Sequence, residues 1–327
     1  MSKRVKTSIS AYDRRGSLPG LSTNMTTAMA STPGTTHAAP ARACLVCGGT
    51  RLTPRWEGLL ACPDCGFVSA DMALSDAELS DLYGSDYFHG NEYLDYIQER
   101  ESLQINFRAR LATLAELIPE LVAKKLFEIG CAYGFFLETV RGKVAAAAGI
   151  DISHDAITYA TETLGVRAVA GDYLTHVFAE RPDVIAMWDT VEHLRRPDLF
   201  IAKAARDLPV GGHLALTTGD IGSANARWRG RRWRMIHPPS HLHYFSADTM
   251  SRLLDRHGFD VVHISHPGNS RTVRSILYII LALRLGRRGM YERLARLRVS
   301  GSTLTINLFD IMFVIARRRL HVASASK

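Results

Sequence analysis

KKLFEIGCAYGFFLETV, residues 124–140, is the stretch on which the reading of the fold turns. Residues 126–129 read as a short apolar strand that runs into a glycine-containing turn and then a helix. That order places backbone amides and a helix N-terminus at the carboxyl edge of a sheet, where open α/β folds bind ligands. The turn itself reads Glu128-x-Gly130-x-Ala132-x-Gly134, which is not the G-x-G-x-x-G spacing that lets backbone approach a pyrophosphate. A carboxylate ahead of the first glycine would repel a diphosphate; it suits a ligand that presents an ammonium and a sulfonium charge.

Downstream, four more segments continue the strand pattern. VAAAAGI ends in Asp151, an acid at the tip of a second strand that can accept from both hydroxyls of a ribose. Residues 166–170 form a third strand ending in Gly171-Asp172, with the acid placed where an adenine amino group could donate to it. DVIAMWD, residues 183–189, is the fourth and exits through Thr190 and Val191 into Glu192-His193; HLALTT after Gly211-Gly212 is the fifth. FDVVHIS (259–265) and NLFDIMFVIA (307–316) read as the antiparallel pair that closes the sheet. Between them, Ser246 is a helix N-cap for a segment reaching His257, with Gly258 past its end.

Taken singly, glycines after strands and acids at strand ends are common in any α/β domain. Together and in this order they resemble the class I S-adenosylmethionine-dependent methyltransferases, over roughly residues 95–318. The resemblance implies a Rossmann-like seven-stranded sheet with its last strand antiparallel, and S-adenosylmethionine as cofactor. It implies that Glu128, Gly130, Ala132 and Gly134 hold the methionine end, Asp151 with Ile152 the ribose and Asp172 the adenine, with Asp189 at the end of the fourth strand also facing the cofactor. Ala132 stands where the family usually has its middle glycine. In the aromatic stretch LYGSDYFHGNEYLDY, Tyr87 is the expected cover for the cofactor. Cys131, with nothing basic beside it, reads as a small packing residue.

Ahead of this domain stand Cys44-x-x-Cys47 and Cys62-x-x-Cys65, each pair followed by a glycine, Gly48 and Gly66. Two such knuckles point four thiolates at one tetrahedral ion, with a short hairpin over residues 51–60 between them. A closed four-thiolate set leaves no open coordination position, so the ion expected is a structural Zn2+. Disulfides are the alternative. The organisation expected is a tail over 1–42, a zinc ribbon over 43–70, a helical linker or cap over 71–122 and the methyltransferase domain over 123–320. Within that domain, 222–245 is read as a substrate loop and 270–300 as a basic helical insertion. A zinc ribbon ahead of such a domain resembles a bacterial subgroup that includes sugar methyltransferases.

The net charge of +8 is concentrated at the start: residues 1–42 hold six Lys or Arg against Asp13, which is +5 and leaves +3 for the rest. A general polyanion-binding surface is therefore not indicated. The tail is rich in Ser, Thr, Ala and Pro and reads as disordered. It fits either a transit peptide or an upstream start preceding Met25. No apolar stretch reaches the ~18 residues needed to cross a bilayer, so a cytoplasmic protein is expected, with a peripheral seat at the inner membrane as the variant.

For chemistry, His193 is the expected general base, with Glu192 orienting it or binding substrate and His241 and Tyr244 as further candidates. The structural alternative is that Glu192 and His193 cap the helix near Pro197. RWRGRRWR, residues 227–234, is either a solvated turn or a grip for an anionic, ring-bearing acceptor such as a sugar, nucleotide sugar or lipid-linked saccharide. Residues 271–298, with eight arginines against Glu292, are either an interface helix or a surface that lies on anionic lipid. Competing functions are RNA methylation with the ribbon as RNA grip, an NAD-dependent oxidoreductase, which the turn spacing disfavours, and a non-catalytic binding protein. Nucleic acid is not the expected partner, because the ribbon carries only Arg51 and Arg55 as bases with Glu57 opposing them. The oligomeric state is not legible from the sequence.

Overall fold

Strands that read as continuous apolar runs lie in the middle of the sheet, because a parallel strand covered by helices on both faces has no solvent side. The computed structural model describes residues 43–72, 96–297 and 301–320, all within one compact unit, Ala41–Lys327. In chain order the elements are β1 (Thr53–Trp56), β2 (Leu59–Ala61), β3 (Val68–Ala70), α1 (Arg100–Leu117), β4 (Lys125–Ile129), α2 (Phe135–Val140), β5 (Ala146–Asp151), α3 (His154–Thr158), β6 (Ala168–Ala170) and β7 (Val184–Trp188). They continue with α4 (Pro197–Asp207), β8 (His213–Gly219), α5 (Ala224–Arg229), β9 (His243–Tyr244), α6 (Ala247–Arg256), β10 (Phe259–Ser265), β11 (Asn269–Thr272), α7 (Val273–Leu277), α8 (Arg288–Leu294), β12 (Thr303–Ile306) and β13 (Ile311–Arg318).

The main sheet has the order β10-β13-β8-β7-β4-β5-β6. β4 to β8 run parallel, and β13 is antiparallel to both β8 and β10. This is the seven-stranded methyltransferase arrangement with its last strand reversed. The chain fills one side of β4 with β5 and β6 and then returns to the other side with β7, so the switch point, and the crevice it opens, lies between β4 and β7. All five residues of β7 are buried. Cys131 is buried, and a Cβ built on Gly149 of β5 would lie 2.8 Å from its Sγ, so the thiol fills the space that glycine leaves.

Three elements differ from the sequence expectation. The third parallel strand begins at Ala168; Val166 instead donates to the carbonyl of Ala160 and packs under the end of the preceding helix. The expected strand over 307–316 starts only at Ile311: Asn307 Oδ1 accepts from the Phe309 amide at 2.8 Å, Phe309 takes a φ of 53°, and this turn separates β12, which ends at Ile306, from β13. The basic insertion opens with a strand: β11 pairs with β12 in a separate two-stranded sheet, with α7 and α8 between them. The α6 helix follows its sequence signals, with Ser246 as N-cap in a capping box with Thr249.

The ribbon is continuous with the catalytic domain. β1, β2 and β3 form an antiparallel sheet whose fourth strand is β9, with Val68 opposite Tyr244 and Ser69 opposite His243. Among the described residues no helix is long and apolar enough to cross a membrane.

Candidate active site

The cavity at the switch point is reached by Gly130 and Ala132 of the turn after β4, Asp151 and Ile152 after β5, Asp172 after β6, and Asp189 and His193 after β7. Gly130 has φ 74°, and a Cβ there would fall 2.6 Å from Thr190 Oγ1, so only glycine lets the β4 turn lie this close to the β7 exit. Ala132 adopts φ 44° with a methyl group in place. Glu128 and Gly134 do not line the cavity. Gly134 opens α2 with Val166 packed against it, and Glu128 is 2% exposed beneath the turn, its Oε2 without a hydrogen-bond partner among the described residues. Burial, then the charge of Asp151, pushes the Glu128 carboxyl well above the usual range against the pull of Arg110.

Asp151 ties the turn to its strand. One oxygen accepts from the Ala132 amide at 2.8 Å and the other from Ser153 at 2.9 Å. Asp172 is exposed at the cavity rim, with Oδ1 taking the Leu174 amide. Asp189 has a φ of 49° and is pinned on three sides: its amide donates to Thr217 Oγ1, Thr217 Oγ1 donates to Oδ1 at 2.9 Å, and Arg110 Nη2 donates to Oδ2 at 2.9 Å. Burial raises the Asp189 carboxyl, but the Arg110 charge and these hydrogen bonds outweigh it and hold it below the usual range.

Glu192, His193 and His241 lie close together, and of the three His193 lines the cavity. His193 Nδ1 lies 2.8 Å from the Ser240 carbonyl; His241 Nδ1 lies 2.9 Å from the Met235 carbonyl. The amides of Leu242 and His243 both donate to the Glu192 carbonyl, which laces the two segments together. Burial pushes His193 down to about 4, against the pull of the Ser240 carbonyl. Burial and then Asp189 push Glu192 up to about 8. Tyr244 is buried away from the cavity, its hydroxyl donating to the His241 carbonyl at 2.9 Å.

Several cavity residues escaped sequence reading. Arg110 and Asn106 come from the buried face of α1. Arg110 also lies over the Trp188 ring, 5.2 Å from its centroid. Asn106 holds Asn269 and Ser270 of β11 in place through its side-chain amide, which brings Arg271 to the cavity. The available signal was an arginine and an asparagine on the apolar side of an otherwise amphipathic helix. Tyr87 lies outside the described residues.

Residues 222–245 contribute nothing to the cavity lining. The loop turns toward the ribbon: Trp233 is buried among Leu59, Val68 and Tyr244, Arg231 pairs with Glu57, and Arg234 with Asp310. An apolar docking surface on β2 and β3 outcompetes a position over the cavity mouth, and the basic group facing the cavity from outside α1 is Arg271. In the ribbon the two knuckles are superposable in their bonding: Gly48 donates to Cys44 and Gly66 to Cys62, each at 2.8 Å. Cys44 Sγ lies 3.6 Å from Cys65 Sγ and Cys47 Sγ the same distance from Cys62 Sγ. No disulfide joins them. The separation is that of sulfurs about 2.3 Å from a common tetrahedral centre, which lie about 3.8 Å apart.

Comparison with known proteins agrees with this frame. Over 116 residues the chain is 29% identical to the ubiquinone biosynthesis O-methyltransferase of Nitrosomonas europaea, an alignment covering 33% of this chain and 49% of that enzyme. The chain thus spans about half the length of that curated relative. Among solved structures, magnesium protoporphyrin IX methyltransferase of Synechocystis PCC 6803 aligns at 12% identity with a TM-score of 0.49, covering 75% of this chain and all of that one. An S-adenosylmethionine-dependent methyltransferase of Mesorhizobium loti aligns at 17% identity with a TM-score of 0.42, covering 64% and 98%. Residues 99–264, half of the chain and the whole span from α1 to β10, match the family model described as a methyltransferase domain, and the protein belongs to that family, within the class I S-adenosylmethionine-dependent enzymes.

Proposed function

We propose that the protein transfers a methyl group from S-adenosylmethionine to a small anionic acceptor, with a glycan precursor such as a sugar, nucleotide sugar or lipid-linked saccharide as the class. The observation that carries this reading is one cavity lined both by a cradle of glycine turn and acids and by His193 and Arg271. The cradle fits the cofactor: Gly130 and Ala132 line the cavity beside Asp151, Asp172 and Asp189, and three carboxyls suit hydroxyl, amino and cationic groups and not a phosphate. In this reading Gly130, Ala132 and Gly134 shape the turn above the buried Glu128, Asp151 and Ile152 hold the ribose, Asp172 the adenine, and Asp189, held ionised by Arg110, supplies the negative charge near the cofactor's charged end. When bound, S-adenosylmethionine supplies a methyl group already activated by its sulfonium charge.

The chain's own work is then placement. His193 faces the acceptor's nucleophilic atom, and Arg271 offers a cation to the acceptor's anionic group. The ribbon's four cysteines hold a structural Zn2+ in this reading; the donor set and sulfur spacing support it. RNA methylation is the weaker reading, because three arginines of the ribbon and loop, Arg51, Arg231 and Arg234, are paired with Asp64, Glu57 and Asp310. The test is a labelled-methyl transfer screen across nucleotide sugars, polyprenyl-linked glycans and bulk RNA. Incorporation into a saccharide acceptor is expected; incorporation into RNA alone would replace this reading with its rival.

A further inference from the structure

Glu192, His193 and His241 do not behave as an ordinary buried polar cluster. Their ligand-capable atoms, one carboxylate oxygen and one ring nitrogen from each histidine, all lie within 4.8 Å of one another. Glu192 is 2% exposed; neither of its carboxylate oxygens makes a hydrogen bond of ordinary geometry, and Thr218 stands beside it as a side-chain donor. A buried carboxyl this weakly hydrogen-bonded costs on the order of 1–3 kcal/mol, which a further partner would offset. The histidines point to that partner. A carbonyl oxygen only accepts, so His193 donates Nδ1–H to Ser240 and His241 donates Nδ1–H to Met235. Each ring then carries its remaining lone pair on Nε2. That is how metal-binding histidines are fixed, with the outer nitrogen donating to a backbone carbonyl. The rings stand edge to face, with centroids 4.6 Å apart, and the His237 ring lies tilted against His241 with centroids 3.9 Å apart. The double donation from Leu242 and His243 to the Glu192 carbonyl holds the two segments at this spacing.

We propose that Glu192, His193 and His241 form a second metal site, distinct from the ribbon, for a borderline divalent cation such as Zn2+ or Fe2+, set in the cavity wall. Two imidazoles and a carboxylate suit such ions and not Mg2+ or Ca2+, which take all-oxygen sets. Three protein ligands leave a coordination position open, and since His193 lines the cavity, an acceptor oxygen is the ligand to fill it. There the cation would bind and polarise the acceptor's hydroxyl, and His193 would serve as a ligand in place of a base. The cation's role toward the acceptor rests on the methyl-transfer reading; its binding does not.

The experiment is Co2+ titration of the full-length metal-depleted protein, read by absorption, with Glu192→Gln and His241→Asn alongside. The thiolate site gives an intense sulfur-to-cobalt band, and the nitrogen and oxygen site gives weaker visible bands without it. The wild type should take up about two equivalents per chain and each variant about one, with the thiolate band retained. Uptake of about one equivalent by all three proteins, carrying only the thiolate signature, would overturn the proposal. Retained S-adenosylmethionine binding and an unchanged melting profile show that the variants are folded. Should either variant fail to fold, X-ray absorption of the zinc-loaded wild type decides: sulfur and nitrogen or oxygen shells together support the site, and a sulfur shell alone refutes it. Two equivalents with no methyl transfer to any saccharide would sink the acceptor assignment and leave the metal site standing; methyl transfer with one equivalent does the reverse.

Discussion

At the scale of single residues, the cradle stores strain where it must approach a ligand. Ala132 sits at φ 44°, in the left-handed region that favours glycine. An L-residue there costs about 1–2 kcal/mol, while glycine's larger unfolded-state freedom takes back about 0.5–1 kcal/mol. Ala132→Gly should therefore stabilise the protein by about 0.5–1 kcal/mol, read as a higher urea midpoint at unchanged slope; a lower midpoint would mean that the methyl's packing outweighs the strain. Asp151 shows the opposite economy, since both of its oxygens accept backbone amides, from Ala132 and Ser153. Asp151→Asn leaves one acceptor where two were needed, and orphans a donor at about 1–3 kcal/mol. Affinity for S-adenosylmethionine should fall roughly 10- to 100-fold by calorimetry, and an unaltered dissociation constant would remove Asp151 from the cradle. Both residues were legible in the sequence because each lies within a few positions of a strand end, where local order sets the geometry. Arg110 was not, since its partner Asp189 is 79 positions away and only the packing of α1 brings them together.

Elements show where local reading stops. The central strands β4, β7 and β8 were visible as apolar runs, since burial on both faces leaves little other composition available. The loop over 222–245 was not, because arginine and tryptophan suit a ligand grip and a buried anchor equally well. Asp310 decides the matter: 1% exposed, it accepts from Asn225 at 2.7 Å, Trp233 Nε1 at 2.8 Å and Arg234 at 2.7 Å. It thereby fastens the loop to the entrance of β13. Burial raises the Asp310 carboxyl, yet the Arg234 ion pair and the Trp233 and Asn225 bonds hold it below the usual range. Its stabilisation is thus present above the unfolded value near pH 4 and lost as pH falls through the lower folded value. Asp310→Asn should cost about 2–4 kcal/mol at neutral pH. The gap between variant and wild type in urea unfolding should narrow as the solution is acidified below about pH 4. A gap that stays constant with pH would place the loss in packing and not in charge.

For the molecule as a whole, the question is whether ribbon and methyltransferase domain are two units or one. The sequence reads as two, since a four-cysteine knuckle pair is self-contained and its spacing says nothing about what it touches. The structure joins them by three kinds of contact. β3 pairs with β9, the Ala70 amide donates to the Leu242 carbonyl at 2.8 Å, and Arg256 of α6 reaches the Val46 carbonyl at 3.3 Å. Cys44, Val46, Cys62 and Phe67 belong to the same apolar cluster as Phe245, Met250 and β13. β9 also continues directly from His241, so the ribbon buttresses the segment that faces Glu192 and His193. On the proposal that the four cysteines hold a structural Zn2+, that ion would contribute on the order of 10 kcal/mol to the fold that contains it. Cys62→Ser, which removes one of the proposed ligands and leaves every cavity residue in place, should therefore lower the melting temperature of the entire chain by on the order of 10 °C or more. It should do so in one calorimetric transition, with methyl transfer and melting lost together. A separate low-temperature transition, followed by the methyltransferase domain melting where the wild type does, would show instead that the ribbon folds as an appendage and that β9 holds its place without it.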